Sequence, residues 1–337
     1  MNEQYADHGT RLTLQRFDEG GFVAVIFDPL RGRTRPAASH RDEEIIDVLT
    51  GGRTGAAAGV GEGIDTTEWA VLTGAGMSTD SGVPDYRGPD AVPRQPMTIQ
   101  TFMSHPDQRA RYWARSWVGW PRMRSAQPNA AHLGLASLPV AGIVTQNVDG
   151  LHQAAASEKG SKSRVIDLHG SLNRVICLKE GHMFDRDWLQ SKLSELNPDF
   201  AKLVGIDPID VETAPDGDVE LEETQDFVVA DCPQCGGVLK PDVVYFGDSV
   251  PPARLQEANR ICEGARGIVV LGSSLAVLSG LRFVRAAAKE AKPVVIVTDG
   301  PTRGDELADY RSTSRVADFV QDWALRGIQG GGDKLTL

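Results

Sequence analysis

Five short runs of apolar, mostly β-branched residues stand out along the chain and predict buried strands. They cover residues 69–73, 140–145, 164–168, 268–271 and 293–298. Four of them, WAVLT, AGIVT, IVVLG and PVVIVT, are apolar almost throughout, as in parallel strands that are covered on both faces. A sixth run, FVAVIF, lies within residues 21–30 and predicts a strand whose partner the sequence does not identify.

Stretches with helical character separate these strands. They cover residues 106–117, 129–138, 252–263 and 279–291. Alternating strands and helices predict a doubly wound, parallel α/β sheet. The connection between the third and fourth strands is too long for a simple crossover, so it must contain an inserted unit. We therefore predict a sheet domain at 64–170 and 246–325, an insert at 171–245, and an N-terminal extension with a linker at 1–63.

The composition is that of a soluble globular protein. Of 337 residues, 41% are hydrophobic and 24% charged, and an apolar run of membrane-spanning length is absent from the sequence. The net charge of −11 argues against binding to nucleic acids or anionic membranes. It is compatible with a basic, lysine-bearing partner, but solubility alone is the favoured explanation of this charge. The polar N-terminus and the four cysteines predict a reducing, cytoplasmic location and a metal site rather than a disulfide scaffold.

Two segments have the composition of loops. Residues 51–63 are rich in glycine and alanine and predict a linker. Residues 207–226 contain nine carboxylates and no lysine or arginine. A solvated loop is the favoured interpretation of this acidic stretch, and a docking surface for basic peptides is the alternative.

A glycine-rich segment follows the first strand directly and reads GAGMSTDSGVPDYR over residues 74–87. Small residues after a strand let the backbone approach a pyrophosphate, and the start of a following helix adds N–H groups. GAG alone occurs in many structural turns, so the specific signal is the extension through SGVPDYRG. There Arg87 can neutralise phosphate, Asp85 can accept a hydrogen bond, and Tyr86 can cover a bound ring.

Polar side chains also stand where later strands end, which is where open α/β sheets bind ligands. Gln146, Asn147 and Asp149 follow the second strand, and His169 follows the third. An Asx turn explains the first group equally well, and a lone strand-end histidine is more often structural. His169 would face the same crevice as Asn147, and this favours a catalytic role. An imidazole with a pKa of about 6.5 can abstract a hydroxyl proton at neutral pH. A small, hydroxyl-bearing turn, Gly272-Ser273-Ser274, ends the fourth strand.

Together these motifs closely resemble the sirtuin family of NAD-dependent protein-lysine deacylases. The matching segments, in the family's order, are residues 74–87, 146–149, 169–170, 240–247 and 272–274. Val83 and Tyr86 are mild variants of the first motif. PDYRGPD and the acidic stretch are similar to the branch that contains a mitochondrial lipoamidase and ADP-ribosyltransferase-like enzyme and its bacterial relatives. The resemblance implies a Rossmann-like NAD domain with a small inserted metal-binding domain.

The resemblance also implies a mechanism. An acyl-lysine of a protein or peptide would enter beside Val243 and Phe246, and its amide oxygen would attack C1′ of the NAD ribose as nicotinamide leaves. Asn147 would orient the ribose, and His169 would act as general base on a ribose hydroxyl. The products would be free lysine, nicotinamide and O-acyl-ADP-ribose, with catalysis chiefly by proximity and orientation. The implied NAD contacts are Gly74, Ala75, Gly76, Ser78, Asp85, Tyr86, Arg87, Gln146, Asn147, Asp149, Gly272, Ser273, Ser274 and Thr298.

The chain departs from the family pattern at the metal site. This branch usually holds a structural zinc with two CxxC pairs, and Cys232 with Cys235 forms one of them. Glu180 stands where the pair begun by Cys177 should end. We predict a zinc site of Cys177, Glu180, Cys232 and Cys235, with His182 close enough to replace Glu180. Decay of the site is the alternative, because a carboxylate is a harder ligand than the thiolate it replaces.

Two further departures concern the adenosine end of the site. Thr298 stands where the family usually has asparagine, and the tail after residue 317 lacks the usual Gly-Asp segment. We therefore expect weaker NAD binding than in relatives with those contacts. Residues 1–60 match nothing in the family.

Other functions compete with deacylation. An NAD hydrolase or ADP-ribosyltransferase could use the same crevice, but the strand from Val243 to Phe246 favours a peptide substrate. A non-catalytic NAD-binding module has no need for the pair of Asn147 and His169. A Rossmann dehydrogenase is disfavoured because GxGxxG is absent from the sequence.

Overall fold

The computed structural model describes residues 3–5, 11–16, 22–26, 40–51, 69–87, 96–200, 202, 213–219, 221 and 224–330. The strands in this part of the chain are β1 (Glu3–Tyr5), β2 (Arg11–Arg16), β3 (Phe22–Ile26), β4 (Trp69–Thr73), β5 (Gly142–Thr145), β6 (Val165–Asp167), β7 (Gly170–Cys177), β8 (Met183–Asp185), β9 (Leu239–Val243), β10 (Gly267–Leu271), β11 (Val294–Val297) and β12 (Tyr310–Ser312). Its α-helices are α1 (Asp42–Leu49), α2 (Ile99–Ser104), α3 (Pro106–Ser125), α4 (Ala130–Ser137), α5 (Leu151–Lys159), α6 (Arg186–Leu196), α7 (Pro252–Gly264), α8 (Leu278–Lys289) and α9 (Val316–Gly330).

The largest sheet is parallel throughout and has the order β12-β11-β10-β4-β5-β6. The direction of winding reverses between β4 and β10, so their carboxyl ends form the switch point at which doubly wound sheets bind ligands. All five core strands predicted from the apolar runs are confirmed. β12 was not predicted, because its three residues, YRS, carry no apolar run.

Both faces of this sheet are covered, as the continuous apolar runs predicted. Every residue of β4, β5, β10 and β11 is buried. Helices α1, α4 and α9 pack on one face around Leu135, Phe319 and Trp323. Helices α7 and α8 pack on the other, around Ala258 and Phe283. The four predicted helical stretches are confirmed as α3, α4, α7 and α8.

Helix α1 lies in the segment that the sequence assigned to the N-terminal extension, and it packs into the core of the sheet domain. Ile45, Ile46 and Leu49 are at most 1% exposed. Asp47 pairs with Arg326 of α9 at 2.8 Å. Helix α1 is therefore a part of the layer that covers the sheet.

The FVAVIF run forms β3, which pairs antiparallel with β2 in a separate sheet of order β1-β2-β3. The predicted linker, apart from Gly51, lies outside the described residues, as does much of the acidic stretch at 207–226.

A smaller unit sits beside the parallel sheet and has its own core. It contains the antiparallel sheet β8-β7-β9 and helix α6 from the predicted insert. Helices α2 and α3 join the same core, where the Trp113 indole N–H donates to the Leu239 carbonyl at 3.2 Å. Two separate stretches of the chain thus build this unit. Residues of this unit and of the sheet domain line one cleft. Among the described residues, none of the helices is long and apolar enough to span a membrane.

Candidate functional site

The loops after β4 and β10 touch through their backbones at the switch point. The Gly74 N–H donates to the Leu271 carbonyl at 3.0 Å, and the Gly76 N–H donates to the Gly272 carbonyl at 2.9 Å. A Cβ on Gly76 would lie 2.9 Å from the Gly272 oxygen, and Gly272 itself has a φ of +61°. Only glycine fits at this contact, which shapes the floor of the cleft.

All residues predicted to bind NAD or acyl-lysine line one cleft, together with both predicted catalytic residues. The cleft runs from the glycine-rich segment to strand β9 and the loop after it. Their placement agrees with the sequence interpretation, while their individual roles stay predictions.

Ser78 is the centre of a polar network at the base of this cleft. Its hydroxyl donates to the Asp149 carboxylate at 2.7 Å and accepts from the Asn147 side-chain amide at 3.0 Å. The same Asn147 amide also donates to the Gly74 carbonyl at 3.0 Å. The backbone N–H of Leu151 donates to the other Asp149 oxygen at 2.9 Å. Burial raises the pKa of Asp149 above its ordinary value, and these donors oppose that rise.

His169 is held at both of its ring nitrogens. Nδ1 lies 3.0 Å from the Gln146 carbonyl oxygen, and Nε2 lies 2.8 Å from Oγ of Ser279. A carbonyl oxygen only accepts, so Nδ1 carries the proton and Nε2 keeps the lone pair that a general base needs. Burial lowers the pKa of His169 to about 4, with a smaller contribution from the positive charge of Arg254. The ring is therefore neutral at physiological pH.

Strand β9 reaches the cleft because it pairs with the start of β7, immediately after His169. The Val244 N–H donates to the His169 carbonyl at 2.8 Å. Gly170 has a φ of +87°, and a Cβ there would lie 1.8 Å from the Asp242 oxygen, so this junction requires glycine. Beyond the strand, the Phe246 ring meets the Tyr86 ring edge to face at 6.0 Å. The predicted substrate strand is thus fixed directly to the backbone of the predicted base.

The other end of the cleft is formed where β11 ends. Thr298 lines it, its N–H donates to the Ser312 carbonyl at 3.2 Å, and its carbonyl accepts from Arg311 at 2.8 Å. The side chain of Gln146 bridges towards the β10 loop by donating to the Ser273 hydroxyl at 2.7 Å.

A metal-binding group lies at the end of the smaller sheet. Cys177, His182, Cys232 and Cys235 place one ligand atom each within 4.8 Å of all the others. The Cys177 and Cys235 sulfurs are 3.4 Å apart, and His182 Nδ1 is 3.5 Å from the Cys232 sulfur. Tetrahedral zinc with bonds of about 2.0–2.3 Å needs ligands about 3.3–3.8 Å apart, so these four residues fit a structural zinc ion.

The structure brings His182, and not Glu180, into this group. The backbone N–H of Glu180 hydrogen-bonds to the Cys177 sulfur, while its side chain is exposed. Gly181, with a φ of +71°, turns the chain, and the His182 carbonyl accepts from the Cys177 N–H at 2.8 Å. The correct i+3 spacing of Glu180 therefore places its backbone, rather than its carboxylate, at the metal position.

Sequence reasoning missed one polar residue that lines the cleft, Ser279, and two buried histidines, His132 and His152. Ser279 contacts His169 from α8, and His132 lies 3.4 Å from the Ser78 oxygen. The ring of His132 packs against that of His152 with centroids 4.8 Å apart. Burial lowers the pKa of His132 to about 4 and that of His152 well below its ordinary value. The one local signal in the sequence concerned His132, which stands three residues after Asn129, the N-cap of α4, at the position of a capping box.

A family model, similar sequences and a similar solved structure all match this chain. A family model described as Sir2 family matches residues 74–279. NAD-dependent protein deacetylase 1 of Streptomyces coelicolor is 50% identical over 249 residues, which are 72% of this chain and 80% of that protein. An NAD-dependent protein deacylase of Batrachochytrium dendrobatidis is 41% identical over 257 residues, 72% of this chain and 84% of that protein. A solved structure of Sir2 with a p53 peptide and NAD+ is 29% identical with a TM-score of 0.60, covering 87% of this chain and 99% of that chain.

Proposed function

The chain belongs to the Sir2 family, and from that membership we propose that it removes acyl groups from protein lysine side chains while consuming NAD. The observation that carries this proposal is the position of Asn147 and His169. They follow adjacent parallel strands and face one cleft, which is bounded by the glycine-rich segment on one side and β9 on the other. A protein that only bound NAD would not need a neutral histidine with a free-base nitrogen beside the peptide strand.

The residues of the cleft fit NAD. Backbone contact between the Gly76 and Gly272 loops leaves a surface without side chains for a pyrophosphate, and Arg87 supplies a positive charge nearby. Bound NAD supplies a glycosidic bond to nicotinamide, whose cleavage lets the weakly nucleophilic amide oxygen of acyl-lysine react. Asn147 and Asp149, both fixed by Ser78, would hold the ribose and the nicotinamide.

His169 would serve as the general base of the later step. Its Nδ1 proton is committed to the Gln146 carbonyl, so Nε2 accepts the proton of a ribose hydroxyl. The released electron pair of that oxygen would then bond to the acyl carbon while the C=N electrons move to the lysine nitrogen. That nitrogen would take a proton and leave as free lysine when its bond to the acyl carbon breaks, and one water molecule would add to the acyl carbon to complete the O-acyl ester on ADP-ribose. Val243 and Phe246 would hold the aliphatic stem of the lysine between the two units.

The proposed substrates are acyl-lysine proteins or peptides. The Sir2 structure with a p53 peptide supports this class of partner, and the net charge of −11 suits basic segments. On the basis of the bacterial relatives we propose a cytoplasmic location, and the net charge of −11 supports a function without nucleic acid or membrane partners. Zinc held by Cys177, His182, Cys232 and Cys235 would have a structural role, since it lies in the smaller unit apart from the cleft residues.

Incubation of the protein with NAD and a panel of acyl-lysine peptides tests the proposal. Mass spectrometry should detect free lysine peptide, nicotinamide and O-acyl-ADP-ribose in equal amounts. Nicotinamide released at one rate with and without every peptide would instead identify an NAD hydrolase. Transfer of ADP-ribose to a protein, with the acyl group left on lysine, would identify an ADP-ribosyltransferase.

A further inference from the structure

Ser279 contacts the proposed base but belongs to none of the sequence motifs. It is the second residue of α8 and lines the cleft, with its hydroxyl oxygen 2.8 Å from Nε2 of His169. The two residues are 110 positions apart in the sequence. The contact therefore exists only because the start of α8 folds over the end of β6.

The direction of this hydrogen bond follows from the other side of the ring. Nδ1 faces the Gln146 carbonyl at 3.0 Å, which accepts the only proton of a neutral imidazole. Nε2 therefore presents a lone pair, and the Ser279 hydroxyl donates to it. A hydroxyl can also accept a hydrogen bond, so the same contact can persist after Nε2 has taken a proton.

We propose that Ser279 is a positioning residue for His169, an inference that rests on the proposed deacylation. In the resting enzyme its hydroxyl occupies the place at Nε2 that a ribose hydroxyl takes over, and it keeps this nitrogen turned into the cleft. During the step, the ribose O–H bond breaks and an Nε2–H bond forms. The oxygen electron pair bonds to the acyl carbon, and the π electrons of its C=N bond move to the lysine nitrogen. Ser279 then rotates and accepts a hydrogen bond from the imidazolium.

A purely structural role, in which the hydroxyl ties α8 to β6, is the competing explanation. The backbone around Ser279 argues against it. A Cβ on the neighbouring Gly280 would lie 2.5 Å from Oε1 of Gln146, so the start of α8 already packs tightly on the β5 loop. The Gly280 and Leu281 N–H groups donate to the Val277 carbonyl, both at 3.2 Å. The helix start is thus held without the serine side chain, and Ser279→Ala should fold.

The two halves of the reaction separate these explanations. Exchange of labelled nicotinamide into NAD, in the presence of acyl peptide, needs no base, whereas formation of O-acyl-ADP-ribose does. Ser279→Ala should lower product formation about threefold to tenfold, the loss that corresponds to one neutral hydrogen bond, and leave exchange within about twofold. Ser279→Thr keeps a hydroxyl and should restore most of the activity. Ser137→Ala, which removes an exposed hydroxyl bonded to the Leu133 carbonyl of α4, should change neither rate.

Equal loss in exchange and product formation would overturn the proposal and establish the structural role. Unchanged product formation in Ser279→Ala would overturn it as well. The contact between Ser279 and His169 can also be tested by NMR, without reference to deacylation. The ¹⁵N resonance of His169 Nε2, assigned with His169→Asn, should shift in Ser279→Ala and stay in place in Ser279→Thr and Ser137→Ala. If the wild-type protein does not deacylate any peptide but shows this shift, the proposed function fails while the contact stands.

Discussion

The hydroxyl of Ser78 donates a hydrogen bond of 2.7 Å to the carboxylate of Asp149. It also accepts from Asn147 at 3.0 Å, so one small side chain fixes two residues that would contact NAD. Ser78→Ala leaves a buried carboxylate without one of its donors. Because a hydrogen bond to a charged group is worth about 1.5–3 kcal/mol, kcat/KM for NAD should fall about tenfold to a hundredfold.

Steady-state kinetics with NAD as the varied substrate checks this prediction. Ser191→Ala is the matched control, since it removes an exposed hydroxyl that donates to a helix carbonyl at 3.1 Å far from the cleft. A kcat/KM in Ser78→Ala equal to that of the control would show that backbone contacts alone position Asp149.

His169→Ala should abolish deacylation and preserve NAD binding. A general base contributes about 10²–10⁴-fold to a proton-transfer step, and the Gln146 carbonyl can bind water in place of Nδ1. Product formation by His169→Ala is measured by mass spectrometry, and its affinity for NAD is measured by calorimetry. His105→Asn should remain fully active, because His105 is an exposed helix cap and asparagine is a good capping residue. A well-folded His169→Ala with wild-type rates would remove His169 from the mechanism.

The pH profile of kcat/KM should be flat from about pH 8 to well below the ordinary histidine range. Burial lowers the pKa of His169 to about 4, so the base is inactivated by protonation only as the pH falls through that value. Rates at pH 5 to 8 with a folding check by circular dichroism suffice. An acid limb near 6.5 would mean that the ring is solvated in the working enzyme.

The lowered pKa of another buried histidine, His132, makes the free energy of unfolding depend on pH. The folded pKa of His132 is also lowered to about 4 by burial, whereas in the unfolded chain histidine titrates near 6.5. Between these values the unfolded chain binds a proton that the folded protein does not. His132 therefore lowers the free energy of unfolding as the pH falls from about 6.5 to 4. The destabilisation caused by His132→Gln should accordingly shrink over that range in urea titrations.

The parts of the site that could be predicted are those encoded locally. The glycine-rich segment, Asn147 and His169 each follow an apolar strand, and parallel strands bring such ends to one edge of a sheet. Ser279 could not be predicted, because its partner lies 110 residues away and no short pattern links the two. The recruitment of α2 and α3 into the smaller unit was missed for the same reason, since it depends on packing around Trp113.

Thr298→Asn should tighten NAD binding about twofold to tenfold, the equivalent of one neutral hydrogen bond. Thr298 lines the cleft, and its backbone is held by Ser312 and Arg311, so a longer side chain would project from a fixed position. Isothermal calorimetry gives the affinity, with Ser137→Asn on the exposed face of α4 as the control. No gain in affinity would mean that the adenosine is bound through other residues.

At the zinc site, variants of His182 and Glu180 test which of the two residues is the fourth ligand. Protein purified without chelator should contain about one zinc ion per chain, since three thiolates and an imidazole form a complete tetrahedral set. His182→Ala removes the ligand whose Nδ1 lies 3.5 Å from the Cys232 sulfur. Glu180→Ala removes only an exposed carboxylate and keeps the hydrogen bond from the backbone N–H of residue 180 to the Cys177 sulfur. Only the first variant should lose zinc readily and melt at a lower temperature, because metal binding is coupled to folding.

His182→Cys completes the test by restoring the four-thiolate set that the family usually has. It should hold zinc longer than the wild-type protein against a chelator, because thiolates are the softer ligands and suit zinc well. Zinc content by mass spectrometry, release in the presence of a colorimetric chelator, and melting temperature are each measured without reference to enzymatic activity. If Glu180→Ala loses zinc and His182→Ala keeps it, the carboxylate is the fourth ligand and the loop around Gly181 must rearrange on binding. If the wild-type protein takes up no zinc even when refolded with it, the smaller unit is held by packing around Trp113 and Leu189 alone.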